Sequence, residues 1–263
     1  MSLAYPKLKN SAPLQQIMRR PDLWKGRNGP VVRSSSVSTG YKKLDERLLH
    51  KGWPLKGLIE FQQQAFGNGE WHLLLPALRA LLQEEPGCLA LIKPPAIPYA
   101  PALAQQGIDL TRVLVIDPPQ KKDWLVSVRE VLAANCCVAL FCWEPEQRLL
   151  YPELRKMQLA VSQSSTLCFL LRSASGSSYR ARSNPTPNQT RARAYSASPA
   201  VLRLVLQNQE TGLEVQIDKQ RGSYQRGKVL LPWSSYVLQQ SFTDNKASLE
   251  ERASNILLFN RSA

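Results

Sequence analysis

Histidine occurs only twice in these 263 residues, at His50 and His72, and no two of the five cysteines form a CxxC pair. Zinc frameworks draw on closely spaced Cys and His ligands, so the usual metal-site patterns are missing. Cys88, Cys136, Cys137, Cys142 and Cys168 all lie in or beside apolar, strand-like runs, which reads as buried, reduced thiols. No run reaches the ~18 apolar residues of a membrane helix, and the opening MSLAYPKLKN has no apolar signal core. The expectation is a soluble, cytoplasmic protein with no membrane contact.

Acidic residues are also scarce, 20 against 34 Lys and Arg, for a net charge of +14. The excess is localised: residues 1–33 carry +6, residues 172–198 carry +5 and residues 219–228 carry +4, leaving the remainder near neutral. Basic charge confined to the periphery points either to an anionic partner such as nucleic acid or to solubility alone.

The most informative absence is a phosphate loop. Between the apolar runs GLIEF and HLLLPALRALL stands QQQAFGNGEW, where a G-x-x-x-x-G-K-[ST] motif would fall. Alignment on Gly69 puts Gln64 at the first glycine, Glu70 at the lysine and Trp71 at the magnesium-binding hydroxyl. Glu70 would repel a triphosphate, and Pro76 clashes with the carbonyl of residue 72 unless the helix starts late. Asp117, after the strand RVLVI, reads as a turn residue before Pro118. In strand order the magnesium aspartate belongs at the end of CCVALFCW, where Cys142 and Trp143 stand instead.

Periodicity organises the rest. SAPLQQIMRRP predicts a short helix with Leu14, Ile17 and Met18 on one face, followed by a loop carrying Trp24. YKKLDERLL predicts a second short helix. From GLIEFQ to TLCFLLR, apolar strands alternate with helices, including DWLVSVREVLAA, which Asp123 can cap. This alternation predicts an α/β fold with a mostly parallel sheet covered on both faces. Residues 172–198 read as a mobile basic loop, 200–220 as a β-hairpin with Thr211 and Gly212 in its turn region, and 234–263 as a polar tail. The expected organisation is therefore a basic arm over 1–33, a core over 34–233 and the tail.

STGYKKLDERLLHKGWPLKGLIEF, QQGIDLTRVLVI and LRKMQLAVSQSSTLCFLLR resemble the RecA recombinase core. The resemblance places RecA's catalytic glutamate at Pro95, so the lysine, magnesium and glutamate positions are all unsuitable. LQQIMRRPDLWKGR, GEWHLLLPALRALL and PPAIPYAPALAQQGIDLTRVL, over roughly residues 12–233, are similar to the ImuA family of RecA-like proteins. That resemblance implies a non-enzymatic, cofactor-free accessory of SOS-induced mutagenic translesion synthesis. Its implied partners are an ImuB-like Y-family protein and an error-prone replicative-type DNA polymerase. LLLP followed by a helix also occurs in the SulA division inhibitors, which implies as the alternative a protein that binds the tubulin-like division protein.

Two surfaces have open readings. Arg172, Arg180, Arg182, Arg191 and Arg193, interleaved with Tyr179 and Tyr195, suit single-stranded DNA, arginine for phosphate and tyrosine for base stacking; a solvated linker would look the same. Leu14, Ile17 and Met18 either dock on a partner, RecA included, or pack on the chain's own core, and Trp24 has the same two readings.

Overall fold

In the computed structural model, the described residues are 36–64, 66–67, 69–173, 197–233 and, for backbone only, 257–259. The expected partner-binding residues Leu14, Ile17, Met18 and Trp24 lie outside them. So do the expected DNA-binding residues Tyr179, Arg180, Arg182, Arg191, Arg193 and Tyr195, and most of the tail.

The alternating apolar segments form a mixed α/β architecture. In chain order the strands are β1 (Ser36–Val37), β2 (Trp53–Pro54), β3 (Ile59–Gln63), β4 (Cys88–Ile92), β5 (Val113–Ile116), β6 (Cys137–Trp143), β7 (Leu167–Ser173), β8 (Leu202–Gln209), β9 (Gly212–Gln220), β10 (Gly227–Pro232) and β11 (Leu257–Phe259). The helices are α1 (Lys42–Asp45), α2 (Glu70–Glu84), α3 (Ala100–Gln105), α4 (Lys121–Ala134) and α5 (Tyr151–Gln163). β1 and β2 form a small antiparallel pair, and the others make one sheet in the order β10-β9-β8-β3-β7-β6-β4-β5-β11. Pairing is parallel from β8 to β11 and antiparallel in the β8-β9-β10 meander. Among the described residues no helix is long and apolar enough to cross a membrane.

Because side chains alternate along a strand, each parallel strand supplies both faces of the sheet. On one face Phe61, Phe141 and Phe169 stack edge-on and tilted with Trp53, ring centroids 5.3–5.8 Å apart, beneath Leu73, Leu74, Ala77, Leu78 and Leu81 of α2. On the other, Leu140, Cys142, Cys168 and Leu170 lie under Trp124, Val128 and Leu132 of α4 and Leu154, Met157 and Val161 of α5. The Trp124 indole also donates to the Trp143 carbonyl at 2.9 Å, pinning α4 to the end of β6.

Several local expectations are corrected. The residue before α4 is Gln120, and Asp123 sits in the first turn without capping, where its charge still suits the helix dipole. The hairpin gains a third strand, β10, which begins at the end of the basic stretch 219–228 and runs to Pro232. Arg172 and Ser173, expected in or beside the loop, instead complete β7 beside Gln62 and Gln63.

α2 does not start late. It begins at Glu70 with Pro76 inside it, and the difficulty is resolved by a neighbour. Proline removes the N–H that would bond the His72 carbonyl; the Tyr41 hydroxyl donates to that carbonyl instead, at 2.7 Å. Gly40 lets Tyr41 reach it, since a Cβ there would stand 2.3 Å from the Pro76 Cβ, on a backbone with φ +84°. The Ser-Thr-Gly-Tyr stretch is thus a brace for a proline-bearing helix. Tyr41→Phe leaves a half-buried carbonyl unpaired and is expected to cost about 1–3 kcal/mol in urea unfolding. In a Pro76→Ala background the restored amide takes that carbonyl, and the same substitution should cost less than half as much.

Candidate functional site

Open α/β sheets bind ligands outside the carboxyl ends of their parallel strands, and here the chain passes from β3 through residues 64–69 into α2. Gly69 precedes the helix with φ +98°, and Gly67 has φ +79°. Two backward-turning glycines could aim amides at an anion. The amide of Gly67, however, donates to the Glu70 carboxylate at 2.6 Å, and Glu70 is buried. The chain's own carboxylate holds the amide that a phosphate would need, and it sits in the first helical turn, where negative charge is favoured.

Aromatic rings close the remaining space. Trp71 packs on Phe141 at 5.5 Å and on Trp143 at 6.5 Å, putting an indole where a hydroxyl would hold magnesium. From the other side, a Cβ on Gly69 would lie 3.0 Å from Trp233 and 3.2 Å from Leu213, so the β9-β10 hairpin abuts the helix start. Trp233 also stacks on His72 at 5.3 Å, and burial there lowers the imidazole's affinity for a proton. Gln64 is exposed and Pro95 half-buried in the turn after β4. Cys142 is fully buried on the opposite face, against Cys168, where burial pushes its thiol well above the usual range. None of Gln64, Glu70, Trp71, Pro95 and Cys142 is a cationic residue, so none brings positive charge to the loop.

Behind β3, on the face of α4 and α5, is a group that sequence reading did not assemble. Glu60, with no exposed surface, accepts from Arg172 Nη1 at 2.8 Å and Ser198 Oγ at 2.5 Å, with Arg203 Nη2 at 3.5 Å. Arg172 also grips Glu144 in a two-pronged pair, Nη2 to Oε1 at 2.9 Å and Nε to Oε2 at 3.1 Å. Arg203 approaches Asp218 at 3.5 Å, and Lys219 donates to the Ser198 carbonyl at 2.7 Å. Three carboxylates thus face three cations across β3, β7, β8, β9 and the turn after β6. Burial pushes the Glu60 carboxyl upward, but Arg172, Arg203 and the Ser198 hydroxyl outweigh it and hold it below its ordinary value. Arg172 is held firmly protonated by Glu144 and Glu60 against the cost of its own burial.

This cluster corrects one expected DNA ligand. Arg172 is a buried strand residue with its guanidinium engaged by two carboxylates, so it presents no charge to a phosphate. Glu144 serves Arg172 and the Leu149 amide, 3.1 Å away. The charge pattern alone could not distinguish Arg172 from the arginines that follow it in sequence; the signal was Glu60, an acid inside the apolar run GLIEF.

The thiol expectation also needs revision. Parallel pairing of β4 with β6 brings Cys88 beside Cys137, Sγ to Sγ 3.1 Å, with Cys136 3.9 Å from Cys137. All three sulfurs lie within 4.8 Å of one another, and Cys136 is exposed rather than buried. Burial raises the Cys137 thiol far above its usual range.

Removing one member of a buried ion pair strands the other's charge. Arg172→Met should therefore cost about 3–5 kcal/mol in urea unfolding, whereas alanine at an exposed arginine should change stability by less than about 0.5 kcal/mol. Because Glu60's folded value lies below the ordinary 4.5, its contribution is complete above that pH and is lost as pH falls through the lower folded value. Glu60→Gln should lower stability at neutral pH and make the acid limb of the stability–pH curve shallower.

No protein-family model matches this chain, and no curated protein matches its sequence.

Proposed function

We propose that this protein is a non-catalytic RecA-like accessory factor of SOS-induced mutagenic translesion DNA synthesis, of the ImuA type. It works through contacts with an ImuB-like Y-family protein and an error-prone replicative-type polymerase. The observation that carries the non-catalytic half is the Glu70 carboxylate on the Gly67 amide, 2.6 Å away. A triphosphate would have to displace a buried carboxylate bonded to the backbone and meet Trp71 in place of a hydroxyl. The mostly parallel sheet, flanked by helices and extended by an antiparallel meander, is compatible with a Rossmann- or RecA-like core. The translesion half rests on the sequence resemblance, in which LWKG and LLLPAL are the most specific segments.

Titration calorimetry with Mg-ATP should give no binding, and micromolar affinity would overturn the non-catalytic reading. Glu70→Lys with Trp71→Thr should not restore binding, since Gln64 still occupies the first glycine position and Trp233 and Leu213 still crowd Gly69. For the partner half, affinity capture from DNA-damaged cells should recover the Y-family protein and the polymerase. Recovery of the tubulin-like division protein instead, with filamentation on overexpression, would replace this reading with the SulA-like one.

A further inference from the structure

The turn that joins β9 to β10, residues 221–226, holds the most exposed of the large apolar side chains among the described residues. Tyr224 has 93% of its surface in water. An ordered ring left in solvent contributes nothing to the core, yet the turn that carries it is held firmly. Arg221 N donates to the Val201 carbonyl at 2.7 Å, and Ser223 N to the Gln220 carbonyl at 3.2 Å. Gln225 N donates to Ser223 Oγ at 3.0 Å, and Gly222 takes the φ of +89° that the reversal needs.

The charge in the turn is of one sign only. Arg221 and Arg226 are exposed within the turn, and residues 219–228 contain no acid. The side chain of Gln220 ties in the segment after α1, accepting from Leu49 N at 2.8 Å and donating to the Arg47 carbonyl at 3.1 Å. This brings a third exposed arginine alongside: a Cβ on Gly227 would lie 2.9 Å from Arg47 Nη1. Nearby cations have partners, Lys228 with Glu214, Arg203 with Glu60 and Asp218, and Lys219 with the Ser198 carbonyl. Arg47, Arg221 and Arg226 form no ion pair among the described residues.

We infer that this turn is a single-stranded nucleic-acid contact, with Tyr224 as the stacking platform for one base and Arg47, Arg221 and Arg226 as ligands for the flanking phosphates. An exposed aromatic among unpaired guanidinium groups is the combination that binds single strands, because every base has a π-face and every linkage a charge. A duplex keeps its bases stacked inside and offers the ring nothing, so the pairing of Tyr224 with arginine favours an unpaired strand. The turn adjoins the amino-terminal ends of β3 and β8, the end of the sheet opposite the closed loop at Gly69. The inference rests on described residues alone and does not depend on the translesion reading.

Fluorescence anisotropy with labelled oligothymidylate, at several salt concentrations, tests it on the full chain. Arg221→Ala with Arg226→Ala should weaken binding and flatten the slope of log K against log salt by about 1.4, two phosphate contacts at about 0.7 each. Tyr224→Ala should weaken binding about tenfold with the slope unchanged, and Tyr224→Phe should bind like the wild type. Arg180, Arg182, Arg191 and Arg193 replaced together by alanine should leave the effects of Tyr224→Ala and of the arginine pair intact. Arg221, Tyr224 and Arg226 are exposed, so thermal unfolding should be unaltered in their variants. An unchanged affinity and slope in the arginine pair overturns the inference. So does a Tyr224→Ala variant that binds like the wild type, or equal affinity for a duplex of the same length, either of which would reduce the turn to unspecific attraction for polyanions.

Discussion

Glu60 is an acid at the centre of a sheet, with no surface in water, and the surrounding architecture compensates its charge. It lies on β3, in register with Arg203 on β8, and two positions short of the level of Arg172 on β7. Moving β7 or β8 by one residue would carry its arginine to the other face and leave Glu60 unpaired. A buried ion pair is a poor source of net stability but strongly penalises wrong arrangements, since an uncompensated buried charge costs several kcal/mol. Here the penalty falls on the seam between the parallel strands and the antiparallel meander. Ser198, which bonds the same carboxylate, fixes where the chain re-enters after residues 174–196.

The other face of β3 is apolar and leads to the closed loop. Phe61 joins the aromatic stack, while α2 brings Glu70 and Trp71 over the strand end. The two glutamates have opposite settings. Glu60 is surrounded by cations that belong to the fold, whereas Glu70 accepts from a backbone amide in the first helical turn, the features that elsewhere attract a phosphate. A site that carries its own anion has little affinity left for another. The Tyr41 hydroxyl on the His72 carbonyl and Gly40 against Pro76 hold α2 in this position, so the Ser-Thr-Gly-Tyr segment braces the helix that closes the loop.

Seen along the meander, the same economy separates structural from free cations. Arg203, Lys219 and Lys228 each have a partner, and the strands that carry them are correspondingly fixed. Arg221 and Arg226, each two residues from Lys219 or Lys228 in sequence, are exposed in the turn beside Tyr224 and form no ion pair among the described residues. Chain position says little about which arginine is spent on folding and which remains for a ligand.

Much of this was legible in one dimension. Apolar runs of strand length between amphipathic helices predicted the parallel sheet and its two covered faces, because burial on both sides demands that pattern locally. Glu70 and Trp71 were legible at the positions where a phosphate loop carries lysine and hydroxyl, since that motif is contiguous. What depended on strand order and register was not readable. Arg172 looked like the first of a basic series until β7 placed it beside Glu60 and Glu144, and Cys88 looked solitary until β4 lay against β6 and met Cys136 and Cys137. Pro76 argued for a late helix start until Tyr41, thirty-one residues from the carbonyl it serves, supplied the missing donor. The sequence by itself determined the elements and the residues that fill the loop after β3, because periodicity and contiguous motifs are properties of neighbours along the chain. Only the tertiary structure decided which charges are paired and which are free, because electrostatic energy depends on distance in space and on burial, and both are set by which strands lie side by side.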